Sequence, residues 1–215
     1  MSNKDVFEME RRKYDLKYPA EELIRFLAKN SQKMEGNKIL DFGCGSGRNS
    51  KMLLECGYDV YAMDYADTCL ELSREKCGEK VHYIKNHALD RPLEAGIMDC
   101  IVAWGALFLC KKLEEETLFG NLVKTLKPGG LLIADYRSKE DDFYGMGEEI
   151  DKNVFVLNDL CGSLAGVTMA FKEIDEIIEF YERYGVTVFN YEKKNYYVDK
   201  AVSYTHLRAH ETSAH

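Results

Sequence analysis

No apolar run in this sequence is long enough to span a bilayer, and the opening Met-Ser-Asn-Lys-Asp-Val-Phe-Glu-Met-Glu is polar and acidic, without the apolar heart of a signal peptide. The expectation is a cytoplasmic protein. Positive charge is short as well: 29 Lys and Arg stand against 37 Asp and Glu, a formal net charge of −8. No uniform basic surface gathers phosphate backbones or anionic lipid, so neither nucleic acid nor membrane is expected as a main partner. Cysteines at C-x-x-C spacing are missing too. The seven present (Cys44, Cys56, Cys69, Cys77, Cys100, Cys110 and Cys161) are odd in number, and six lie in apolar or helical stretches, the pattern of reduced thiols packed as small hydrophobes. Only His82 and His87 precede residue 200, so no metal site is expected. What the chain does have, 46% hydrophobic and 31% charged residues over 215 positions, suits one globular domain with a full core.

The densest signal is residues 39–50, Ile-Leu-Asp-Phe-Gly-Cys-Gly-Ser-Gly-Arg-Asn-Ser. An apolar run ends in Asp41, Gly43, Gly45 and Gly47 alternate, and a helix-compatible segment follows, which reads as strand, tight turn, helix. Glycine at every second position removes each Cβ that would block a ligand lying on the turn, and the helix behind it offers unpaired N–H groups. The spacing is not that of a dinucleotide fold, which wants G-x-G-x-x-G: the third glycine comes one residue early and Arg48 fills the expected position. Asp41 would be unhelpful beside a pyrophosphate and suits a cationic ligand.

Taken in order, residues 1–35 form an N-terminal arm and a helix beginning at Pro19, whose Leu23, Phe26 and Leu27 make one apolar face. Strand 38–42 precedes the turn, helix 47–56 follows it, and strand 58–63 ends in Asp64. A carboxylate there is placed to accept ribose hydroxyl hydrogens or, alternatively, to cap the next helix. Helix 67–77, strand 81–85, strand 99–103, helix 112–126, a Lys127-Pro-Gly-Gly130 turn and strand 131–135 complete the alternation. That order specifies an open, mostly parallel α/β sheet with helices on both faces, whose ligands bind at the carboxyl ends of the strands. Asp41, Asp64, His87, Trp104 and Tyr136 all lie at such ends. Residues 137–165 read as an insertion over the pocket, and residues 186–191 and 195–199 as the closing strands.

Asp41-Phe-Gly-Cys-Gly-Ser-Gly47, Asp64, His87-Ala88, Asp99-Cys-Ile-Val-Ala-Trp104 and Leu126-Lys-Pro-Gly-Gly130 together resemble the class I S-adenosylmethionine-dependent methyltransferases, with a Rossmann-like fold. Gly47-Arg-Asn-Ser with Gly57-Tyr-Asp-Val is also similar to the tellurite-resistance subgroup. The resemblance implies that Gly43, Cys44, Gly45 and Gly47 bear the methionine part of S-adenosylmethionine, with Asp41 near its ammonium. Asp64 would bind the ribose, Tyr65 lie on the adenine, His87 and Ala88 meet the adenine edge, and Trp104 and Gly105 line the methionine side. His87, Asp135 and Tyr136 are the candidate bases, and Arg137 the candidate partner of a substrate carboxylate or phosphate. The marks of amino-methylating and cytosine-directed nucleic-acid enzymes, Asn-Pro-Pro-Tyr and Pro-Cys, are absent, so a small-molecule acceptor is expected. The alternatives are a non-catalytic S-adenosylmethionine-binding protein and a nicotinamide-dependent oxidoreductase.

Residues 202–213, Val-Ser-Tyr-Thr-His-Leu-Arg-Ala-His-Glu-Thr-Ser, resemble the translation of a sequencing-library adapter. The expected organisation is therefore one methyltransferase domain over 1–201 and a non-native tail over 202–215, with the family's antiparallel seventh strand truncated or missing.

Overall fold

In the computed structural model the described residues are 2–10, 15–86, 93–188, 190–198 and 202–210. Helices α1 (Asn3–Glu10) and α2 (Glu21–Asn30) lead into β1 (Lys38–Phe42), α3 (Arg48–Glu55), β2 (Asp59–Asp64), α4 (Asp67–Cys77), β3 (His82–Lys85), β4 (Met98–Ala103), α5 (Lys112–Thr125) and β5 (Leu126–Arg137). Then come β6 (Gly147–Asp151), β7 (Val154–Leu157), β8 (Thr168–Ala170), α6 (Ile174–Glu182), β9 (Asn190–Val198) and β10 (Val202–His210). The main sheet has the order β3-β2-β1-β4-β5-β10-β9, with β1 to β5 parallel and the last two strands antiparallel.

Period-two alternation divides the core. Ile39, Cys100, Val102, Leu131 and Ile133 face Leu23, Phe26 and Leu27 of α2 and Leu53 of α3, whereas Leu40, Ile101, Ala103, Leu132 and Tyr136 face Phe119 of α5 and Tyr181 of α6. The order reverses at β1, which pairs with β2 on one side and β4 on the other, so the strand carrying the glycine turn stands at the switch point where such sheets bind ligands.

Three expectations change in detail. Helix α5 does stop at Thr125, just before Lys127-Pro-Gly-Gly130, but residues 127–130 are not a turn outside the sheet. They bulge within β5, where Met98 pairs with Leu126 and Cys100 with Leu131. Lys127 Nζ anchors the bulge on buried Asp99 at 2.6 Å. The insertion after β5 builds a separate antiparallel sheet, β6-β7-β8. The third change is a correction: the seventh strand is neither truncated nor missing, because residues 202–210 lie antiparallel between β5 and β9. The edge of β5 offers backbone N–H and C=O groups, which any extended segment of sufficient length satisfies whatever its origin.

Candidate active site

The turn after β1 is held from behind. Gly43, Gly45 and Gly47 have φ of 69°, 55° and 81°, the left-handed region that glycine enters without strain. The N–H groups of Gly43 and Cys44 both donate to Met63 O, at 2.9 and 3.0 Å. Gly45 N–H donates to Asp64 Oδ2 at 2.9 Å, and Asp64 Oδ1 accepts from Ala66 N–H at 2.9 Å, so this buried carboxylate ties turn to helix start. A Cβ on Gly43 would stand 2.7 Å from Ala106 Cβ, and one on Gly47 would stand 2.9 Å from Ser73 Cα. The turn is thus wedged between the loop after β4 and α4. Cys44 is buried against Gly45 O, and burial pushes its thiol well above the ordinary range, the state of an inert packing group.

Asp41 lies beneath the turn. Alternation points it to α3, where Ser50 Oγ donates to Asp41 Oδ2 at 2.5 Å. Burial pushes its pKa up to about 6 against the opposing pull of Ser50 and Arg48. Asp41 lines neither of the cavities described next.

Two cavities flank the turn, of about 570 Å³ and 250 Å³. Phe7, Gly43, Gly105 and Leu109 border both and form the ridge between them. The larger is walled by Phe42, Asp64, Tyr65, Cys69 and Asn86, and the smaller by Cys44, Gly45, Trp104, Asp135 and Arg137. Gly47 lines neither cavity and serves as the packed foot of the turn against α4. His87 and Ala88 lie outside the described residues. Asn86, just before them, donates its N–H to Asp64 O at 3.2 Å.

At the end of β5 the side chains part company. Asp135 and Arg137 share one face and reach the smaller cavity; Asp135 Oδ1 accepts from Gly105 N–H at 2.5 Å, and Arg137 Nη1 donates to Asp141 Oδ2 at 2.9 Å. Tyr136 lies elsewhere. It points to the opposite face of the sheet, borders neither cavity, and its hydroxyl lies 3.1 Å from that of Tyr181. Burial pushes its pKa well above the ordinary value.

Helix α1 supplies residues that periodicity did not single out. Ser2, Asn3 and Lys4 line the larger cavity and Phe7 lines both, while Val6 is buried in the core. Asn3 Nδ2 donates to Leu109 O at 2.8 Å and Thr168 O at 3.0 Å, and Asn3 Oδ1 accepts from Thr168 N–H at 2.6 Å. Glu8 accepts from the N–H groups of Asp67 and Thr68 at 2.7 and 3.0 Å, capping α4, whose own N-cap residue, Ala66, provides no side-chain bond. The helix is thereby fastened at both ends over the cavities. Residues 15–16 are tied down by Lys76, which also bonds Ser46 Oγ at 3.2 Å. Among the described residues no group of three or more His, Cys, Asp or Glu could hold a metal ion.

A glycine turn at the switch point of a parallel sheet, with a carboxylate closing the neighbouring strand, lies where sheets of this kind bind nucleotides. Residues 39–130 match a family model described as a methyltransferase domain. An uncharacterised methyltransferase of Geobacillus is 25% identical over 162 residues, covering 69% of this chain and 73% of the relative. The chain spans less than half the length of several other curated relatives it matches. The fold is that of a SAM-dependent methyltransferase from Methanosarcina mazei, at TM-score 0.72 and 18% identity over 91% of this chain and 98% of that one. It is also that of the 1,6-didemethyltoxoflavin-N1-methyltransferase of Burkholderia thailandensis, solved with 1,6-didemethyltoxoflavin and S-adenosylhomocysteine, at TM-score 0.65 and 18% identity over 89% and 76%.

Proposed function

We propose that the chain transfers the methyl group of S-adenosylmethionine to a small-molecule acceptor by in-line displacement. The observation that carries this reading is the ridge of Gly43 and Gly105: it separates a large cavity rimmed by Asp64 and Tyr65 from a small one holding Asp135 and Arg137, and so offers a nucleoside and an acceptor adjoining places. The residues present fit the cofactor. Bare Cα atoms at Gly43 and Gly45 clear the shelf for its methionine end, and Asp41 beneath supplies negative charge toward its ammonium. Asp64, fixed by two N–H groups at the wall of the larger cavity, is assigned to the ribose hydroxyls, and Tyr65 to the adenine face. His87 and Ala88 are assigned to the adenine edge, and Trp104 with Gly105 to the methionine side.

When bound, the sulfonium supplies an intrinsically electrophilic methyl group, so the protein has mainly to position an acceptor and exclude water. Phe7 and Leu109 are the apolar side chains that border both cavities at the ridge. Asp135, held by Gly105 N–H, is the group placed to receive a proton from the acceptor, and His87 is retained as a second candidate. A small acceptor is supported by the 250 Å³ cavity and by the net charge of −8, which disfavours a nucleic-acid substrate. Seven free cysteines, and the absence of any described helix long and apolar enough to cross a membrane, support a cytoplasmic setting.

Calorimetric titration with S-adenosylmethionine, S-adenosylhomocysteine and NADH tests the cofactor. Micromolar binding of the first two and none of the third is expected, and NADH binding alone would overturn the reading. Incubation with methyl-labelled S-adenosylmethionine and a metabolite extract should then label a small molecule. Binding without any labelling would favour a sensor over an enzyme.

A further inference from the structure

Lys76 stands in the last turn of α4, where a cation ordinarily serves the helix dipole. Its ammonium instead leaves the helix for two other segments. It donates to Asp15 Oδ1 at 2.9 Å, to Leu16 O at 3.3 Å and to Ser46 Oγ at 3.2 Å, one acceptor for each of its three N–H groups. The side chain is only 16% exposed, so the contact is built into the fold.

Both segments belong to the smaller cavity. Ser46 sits in the glycine turn between Gly45 and Gly47, is buried, and lines that cavity, and Leu16 lines it from the arm before α2. The arm is laid on the start of α3 at two further points: Tyr18 O accepts from Arg48 Nη1 at 3.3 Å, and Ala20 N–H donates to Asn49 Oδ1 at 3.2 Å. Lys76 carries the link that reaches the turn itself.

A hydroxyl has two lone pairs and one proton. Once Ser46 Oγ accepts from the ammonium, its own proton is left to find a partner, and among the described residues it has no acceptor. The charged donor also polarises the hydroxyl and strengthens it as a donor in turn. The methionine end of the cofactor, assigned to this side of the turn, carries a carboxylate, which accepts hydrogen bonds and offers none. A Lys76 that merely stapled the arm would leave the proton of a buried hydroxyl without a use, which costs stability.

We infer that Lys76 is a positioning residue for the methionine end of the cofactor: it commits the Ser46 hydroxyl as a donor to the methionine carboxylate and holds Leu16 against the same cavity. Lys76 acts through these two residues and does not itself touch the cofactor. This rests on the methyltransferase reading above.

The test is calorimetry on the full chain, comparing S-adenosylhomocysteine with methylthioadenosine, which has the same nucleoside and thioether but no amino-acid end. The unmodified chain should bind S-adenosylhomocysteine about ten-fold tighter or more. Lys76→Met should lose about ten-fold for S-adenosylhomocysteine while binding methylthioadenosine within about two-fold of the parent, and Lys76→Arg should recover part of the loss. Ser46→Ala should show the same selective loss, and the double variant should lose less than the product of the two single losses. Equal losses for both ligands in Lys76→Met, as a purely structural staple would give, overturn the inference. So does a double variant that loses the full product, or a Ser46→Ala that binds S-adenosylhomocysteine as the parent does. Ser46→Ala removes a single oxygen, so it decides the matter even if Lys76→Met does not fold. Binding of neither ligand by the unmodified chain would remove the methyltransferase reading, whereas an unmodified chain that binds both ligands equally overturns this inference alone.

Discussion

Asp41 keeps its proton to about pH 6 because it is sealed under the glycine turn, and that couples folding to pH. The folded pKa lies above the unfolded value of 3.8, so between these two values the native state binds more protons than the unfolded chain, and stability falls as pH rises. The full effect is about 3 kcal/mol, from roughly two pKa units at about 1.4 kcal/mol each. Asp41→Asn keeps the shape and the bond from Ser50 but cannot ionise. Thermal melts across pH 4 to 7 should show the variant gaining on the parent as pH rises toward 6, and a constant offset would show that Asp41 stays charged throughout. At this scale the sequence was legible where one residue type answers one need, as at Gly43 and Gly45, which take a backbone conformation that few others accept. It was less legible where the face of a strand decides. Asp135, Tyr136 and Arg137 are neighbours at one strand end, yet alternation sends the tyrosine into the α5–α6 layer and leaves its flanking residues at the cavity.

Helix α1 shows why elements are harder than residues. Its composition is charged and its anchors are distant in the chain: Thr168 meets Asn3, and Asp67 meets Glu8. No local pattern announces such contacts. The parallel core was readable because every strand and helix in it carries its own periodicity and stop signals, whereas the segment 127–130 both follows a helix stop and bulges within β5, a pairing set by its partner strand β4. Burial alone would raise the pKa of Glu8, but the bonds from Thr68 and from the backbone of Asp67 outweigh it and hold it below the ordinary value, so it caps α4 as an anion. Glu8→Ala removes that cap, at about 1 kcal/mol, and frees one end of the helix over the site. Amide hydrogen exchange of residues 2–10 and 67–70 should accelerate, and S-adenosylhomocysteine should bind several-fold more weakly. Unchanged exchange in both segments would mean that α1 does not depend on this anchor.

For the whole molecule the decisive feature is the antiparallel strand β10, which pairs with five residues of β5 and nine of β9 in the observed register. The adapter-like sequence of residues 202–213 led to the expectation of an unfilled groove, yet backbone pairing is blind to origin, and Val, Tyr and Thr in this stretch favour extended structure. Removing residues 202–215 should expose two long strand edges together. A lower melting temperature and concentration-dependent dimers or aggregates in light scattering are expected. A shortened chain that stays monomeric and melts unchanged would show that β10 adds nothing to the fold.

Trp104 is the single tryptophan among 215 residues, and it stands in the wall of the smaller cavity, next to Gly105 on the ridge. Its emission can be excited at the red edge of absorption, where the chain's 14 tyrosines stay dark. Whatever enters that cavity changes the surroundings of one indole and no other. The unlabelled protein thus carries its own optical gauge of occupancy, fast enough to time arrival and departure at the ridge.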